Sequence, residues 1–310
     1  MDMRLFKIGL IFLWAASAWA GPLDSGDVSS SARWVIHLDA QAFWGSQFGT
    51  QIKQVVDSNG VRAKIDAMKQ LFGSDLISDI HSITLYGADG DDKHAVALVK
   101  GKMNPKKLIS MAVMTPRYEK IEVGEWQIHQ WGGDDGKQKI QYMGFASDQT
   151  LVLSQTRSTV EMALNVLAGK ADTVKGTERF RALNRAPDNA FVVVCAEELA
   201  DLTKGQAHAA MLQRSSMMAF MVGEKNGFFN TTLELETESS DSAGQIEVMG
   251  RGILAMVQFQ ETQVPQVKSL VQACSLKSED KTVEFSFRYP VEKLMVILKP
   301  HIQKFKETQN

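Results

Sequence analysis

The chain has 310 residues, 44% of them apolar and 23% charged, with a formal net charge of −2. This is the balance of an ordinary globular protein rather than a disordered one. It excludes a nucleic-acid face built on a basic excess, and no Lys/Arg block marks a patch for an anionic membrane. The length suits one large domain or two ordinary ones.

The first twenty residues stand apart. Arg4 and Lys7 give a positive start, Ile8 to Trp14 is apolar save for Gly9, and Ala18-Trp19-Ala20 is a small-x-small site. That order predicts a cleavable signal peptide over 1–20. The apolar run is too short for a membrane anchor, which wants about 20 residues. No Cys follows the cleavage point to carry a lipid, and no later run is long and apolar enough to span a bilayer. The expectation is an exported protein, periplasmic or extracellular, with no transmembrane segment after cleavage. Residues 21–31, rich in Gly, Ser and Asp, read as a flexible leader.

Trp34 to Leu38 predicts a strand, and apolar residues at helical steps predict helices over about 40–56 and 61–72, the second stopped by Gly73. Ile83/Leu85 and Ala95/Ala97/Val99 alternate around a Gly/Asp cluster, the pattern of a hairpin. Asn104-Pro105 opens a helix, four short strands follow between about 121 and 153, and Ser158 to Leu167 is a helix closed by Gly169. Residues 171–189 read as a connection with one short helix near Arg179 to Leu183. The order then repeats: a strand Phe191 to Cys195, a helix from Glu197 to about Gln213, and a hairpin of Met217–Val222 with Thr231–Glu236. Helices over about 244–259 and 265–273, a strand Thr282 to Tyr289 and a last helix from Pro290 complete it.

The expected class is therefore α+β with two similar halves, each an antiparallel sheet with helices packed on one face. The boundaries are 32–170 for the first half, 171–189 for the connection and 190–308 for the second half. The repeat reads as an internal duplication. Two strand–helix junctions carry a resemblance: Leu151-Val152-Leu153-Ser154 leading into Ser158 to Gly169, and Thr282 to Phe287 leading into Tyr289-Pro290-Val291-Glu292-Lys293-Leu294. In these the chain resembles a loose group of exported bacterial proteins of unknown function. The resemblance implies architecture and carries over no catalytic or binding residue.

Two cysteines in an exported chain, Cys195 and Cys274, invite a disulfide, with buried thiols as the alternative. Met211, Met217, Met218 and Met221, with Trp126 and Trp131, are candidates for an apolar recognition surface, against the plainer reading that they fill a core. Six scattered His form no metal-binding pair, and the Asp-rich turns lack a calcium-loop spacing. Gly132 to Lys137 fails as a phosphate loop because a strand follows it, and Ser278 to Lys281 lacks the partners of a Ser-x-x-Lys enzyme. No cofactor is expected. The expected function is non-catalytic binding of an envelope protein or an apolar ligand, with no nucleic acid. The alternative is an envelope hydrolase or metal enzyme whose site, drawn from His37, His81, His94 or His129, forms only in the fold.

Overall fold

The computed structural model describes residues 23–57, 61–75, 77–132, 139–178, 180–181, 189–199, 214–260 and 265–307. The signal peptide expected over 1–20, the short helix near 179–183 and the helix reaching Gln213 fall wholly or mostly outside them. In the first half, β1 (Trp34–Asp39) leads to α1 (Ala40–Gly45), α2 (Gln47–Asp57) and α3 (Val61–Phe72). Then come β2 (Ile80–Gly87), β3 (Val96–Gly101), α4 (Pro105–Val113), β4 (Glu119–Val123), β5 (Trp126–Trp131), β6 (Gln141–Ser147), β7 (Thr150–Ser154) and α5 (Arg157–Leu167). The second half holds β8 (Ala190–Glu197), β9 (Ser215–Lys225), β10 (Phe228–Thr237), α6 (Ser240–Gln260), α7 (Pro265–Gln272), β11 (Cys274–Glu279), β12 (Thr282–Pro290) and α8 (Val291–Glu307).

Among the described residues, twelve strands form one antiparallel sheet in the order β11-β12-β10-β9-β8-β1-β2-β3-β7-β6-β5-β4. Read outward from the β1–β8 seam, the halves match: β1-β2-β3-β7-β6 on one side, β8-β9-β10-β12-β11 on the other. The expected α+β class with two similar halves is thus what the chain adopts. Two details go beyond it. The two sheets are continuous, because Trp34–Leu38 pairs antiparallel with Val192–Ala196. Helices also lie on both faces of the first half. Side chains alternate along a strand, so Leu151 and Val152 of β7 point opposite ways. Val152 belongs to the core under Val160, Ala163 and Leu164 of α5, whereas Leu151 packs with Ala112 of α4.

The α5 side, here the front, holds the main core. Val35, Tyr86, Val96, Leu98, Val152 and Ile128 are all at most 1% exposed. Gly144 on β6 allows α5 to sit close, since a Cβ there would lie 2.7 Å from Leu164 Cδ1. The expected flexible leader is corrected from Leu23 onward. Val28 is fully buried in this core, its carbonyl accepts from Val174 N–H at 3.0 Å, and Asp27 pairs with Lys100. Val28 and Ala32 in the core, with Leu23 packed against it, anchor the polar stretch.

Local chemistry sets most boundaries. Asp39, Asn104 and Thr156 cap α1, α4 and α5 by accepting from backbone N–H groups, and Pro105 occupies the first turn of α4. The β9–β10 turn is tighter than the expected 223–227 loop. Lys225 pairs with Phe228, leaving Asn226 and Gly227 at φ 54° and 74°, the Asn-Gly form of a two-residue hairpin. Cys274–Glu279, unassigned from sequence, is a strand.

These contacts predict opposite effects for two glycines. Gly144→Val drives a side chain into Leu164 and should cost about 1–3 kcal/mol. Gly244→Ala in α6 meets nothing within 4 Å and should stabilise by about 0.5–1 kcal/mol. Urea denaturation of both variants checks the pair.

Candidate functional site

The back face carries an apolar cavity of about 330 Å³ between α4 and the outer strands of the first half. Leu108, Met111 and Ala112 line it from the helix, and Met143, Leu151, Leu153 and Trp131 from the sheet. The register explains the sheet side: Met143 pairs with Leu153, which pairs with Ala97, while Leu151 pairs with Val99, so the cavity floor is continuous across β6 and β7. The roof is α4, started by the Asn104 cap and Pro105. Thr115 completes the lining, and its hydroxyl is spent locally, donating to the Ala112 carbonyl at 2.6 Å. Apart from Thr115, the Trp131 indole N–H is the one nitrogen or oxygen group among the lining side chains, so the lining is overwhelmingly apolar. Val113 and Met114, at the end of α4, are exposed.

The proposed recognition residues do not form one surface. Met217 and Met221 are buried on the front face, and Met218 packs on the back against the Leu235–Val283 cluster. Trp126 packs on the front core and donates from its indole to Asn165 at 3.1 Å. Trp131, an odd number of residues away on the same strand, points to the back and lines the cavity. Met211 lies outside the described residues. The methionine-and-tryptophan patch is thus corrected to core packing, with Trp131 alone at the cavity.

The disulfide expectation is also corrected. Cys195 and Cys274 are free. They sit on β8 and β11 with β9, β10 and β12 between them, about 19 Å apart at ~4.8 Å per strand. A disulfide needs Cα atoms within about 7 Å. Burial pushes the Cys195 thiol up to about 12, so it is a poor nucleophile.

The four histidines weighed for catalysis stand apart. His37 on β1 shares a 2.9 Å hydrogen bond with Thr84, and its Nε2 has no partner. His94 pairs with Asp89 at the surface, each holding the other charged. His129, on β5, stacks on Tyr118 and bonds to its hydroxyl at 2.9 Å. His81 lies at the start of β2. Among the described residues no group of three His, Cys, Asp or Glu could hold a metal ion, and no helix is long and apolar enough to cross a membrane.

No protein-family model and no curated protein matches the chain. Among solved structures it is similar in fold to the Treponema protein TP0453 in several crystal forms. Form I aligns at 9% identity and TM-score 0.45, covering 89% of this chain and 96% of that one. Form IV aligns at 10% identity and TM-score 0.46, covering 92% and 98%. A likeness this distant says nothing of function.

Two measurements test the buried groups. Intact mass should be the same with and without reductant, and a thiol reagent should label half-buried Cys274 in the native protein but Cys195 only after unfolding. Burial, with Lys100 adding repulsion, lowers His37 to about 4, so the folded state keeps it neutral while the unfolded chain protonates near 6.5. Its contribution is complete above pH 6.5 and is lost as pH falls toward 4, on the order of 3 kcal/mol in all. Urea denaturation at pH 7 and pH 4.5 should show a smaller acid loss in His37→Leu than in the parent chain.

Proposed function

We propose that this chain is an exported, non-catalytic protein that binds an apolar ligand in the cavity under α4. One observation carries the reading: a roomy cavity lined almost wholly by Leu, Met, Ala and Trp side chains, with Thr115 its one hydroxyl and that proton given to the Ala112 carbonyl. Its volume is about twice that of a ~150 Å³ apolar cavity known to hold benzene, and near the low end of ordinary ligand pockets at ~300 Å³. Apolar space of this kind favours hydrocarbon and disfavours groups that must keep hydrogen bonds. Export is supported by the order of charges, apolar run and small-x-small site in residues 1–20.

An envelope protein partner is the second reading, and α6 favours it. Val248, Met249, Met256 and Phe259 are exposed on that helix, Phe259 at 82%. Such an apolar stripe marks contact surfaces more often than bare water-facing helix.

Native mass spectrometry of the purified chain with added dodecanoate tests the ligand reading, with Trp131 emission as a second readout. Binding should shift the emission, and Ala112→Phe, which fills the cavity, should weaken the binding that Trp131 reports at least tenfold while the melting temperature holds. Unchanged binding in Ala112→Phe, or no binding by the parent chain, sinks the α4 site.

A further inference from the structure

We propose that the second half carries an equivalent site under α6, and that each site takes one unbranched hydrocarbon chain of a single-chain amphiphile such as a fatty acid. This rests on the ligand-binding reading of the α4 cavity.

The equivalence is one of register. Counted outward from the seam, the fourth and fifth strands are β7 and β6 in one half and β12 and β11 in the other. Met143–Leu153–Ala97 crosses the first half at the cavity; Leu276–Phe285–Leu233 crosses the second at the same place. Leu151 faces Val99, and Val283 faces Leu235. In each half the helix that follows the inner hairpin lies over these residues on the back of the sheet. A second cavity, of about 280 Å³, opens there beneath α6. No side chain in its lining carries a hydrogen-bonding group.

Shape selects the ligand. The helix side of the second cavity runs from Ile246 through Gly250 to Leu254, about 12 Å at ~1.5 Å per residue. A volume of about 280 Å³ lies just under the ~300 Å³ low end of ordinary ligand pockets, which suits one short hydrocarbon chain rather than two. At Gly250 the helix backbone rests against the Leu276 side chain, since a Cβ there would lie 2.6 Å from Leu276 Cδ2, so the open space lies beside that contact. Ile253 both lines the cavity and is 52% exposed, so the trough reaches solvent beside it and a polar head stays in water. Seven strand intervals separate β7 from β12, roughly 34 Å along the sheet at ~4.8 Å each. One two-chained lipid cannot fill both sites.

Titrating the full chain with dodecanoate under native mass spectrometry should give two bound molecules. Val283→Phe fills the second cavity from the sheet and Leu254→Phe from the helix; each should reduce the count to one. Ala112→Phe should do the same through the first cavity, and Ala112→Phe with Val283→Phe should bind none. Dioctanoyl phosphatidylcholine should give no stable adduct, because its second chain has no place. One molecule bound by the parent chain, lost in Ala112→Phe and kept in Val283→Phe, overturns the second site and leaves the α4 site standing. A single-molecule adduct of the phospholipid overturns the single-chain assignment. No dodecanoate bound at all removes both readings together.

Discussion

The antiparallel pairing of β1 with β8 is the contact on which the rest depends. It joins residues some 160 positions apart in sequence, with Val35 opposite Cys195 and both fully buried. Without it each half would expose the backbone of its innermost strand. With it the halves share one sheet, their matching strands run outward in opposite directions, and front and back mean the same in both. A brace reinforces the seam. The Glu224 carboxylate of β9 accepts from the Gln47 and Phe48 N–H groups at the start of α2, where a negative charge suits the helix dipole. Phe43 and Phe48 from the same segment meet Phe191 and Phe229 of the second half edge-on or tilted, 5.3 and 4.9 Å apart. First-half helices are thereby tied to second-half strands.

The two faces are packed to different standards. On the front, Gly144 lets α5 close onto β6, and the side chains beneath it have essentially no exposure. On the back, α4 and α6 span troughs that their own side chains do not fill. Unfilled space forfeits dispersion contacts, at about 24 cal/mol per Å³ of cavity in measured core deletions. The two troughs lie in corresponding places of the two halves and both open to solvent. The front face has its own cost: His37 Nε2 and the Tyr86 hydroxyl lie buried without partners near the seam.

Much of the fold was legible, and what was missed has specific causes. Alternation gave β2, β3 and β12, the Asn104-Pro105 start gave α4, Gly169 marked the end of α5, and α6 was read within four residues at its start and one at its end. The repeat of element order pointed to matched halves. The seam was not legible: Val35 and Cys195 sit in ordinary apolar strands, and nothing local names a partner 160 residues away. β11 was missed because Cys274-Ser275-Leu276-Lys277-Ser278-Glu279 has only one strongly apolar residue, as an edge strand permits. The scatter of the recognition residues was readable from parity, since Trp126 and Trp131 differ by five and Met217 and Met218 by one. The cavities were not readable, because alternation says which side chains face a helix but not how well the helix fills the space.

An antiparallel sheet that does not close on itself has two outer margins, here β4 and β11. β4 carries Glu119, Lys120 and Glu122 among its five residues, so an incoming strand would meet charge at alternate positions and on both faces. On β11 the Leu276 carbonyl is already taken by the Arg251 guanidinium at 2.7 Å, and Ser278 is held by Glu247, both from α6. Each margin thus resists the strand-by-strand recruitment that turns open sheets into fibrils. The helix that roofs the second trough also guards the sheet beside it, so any motion that loosens α6 uncovers a templating edge as well as the trough.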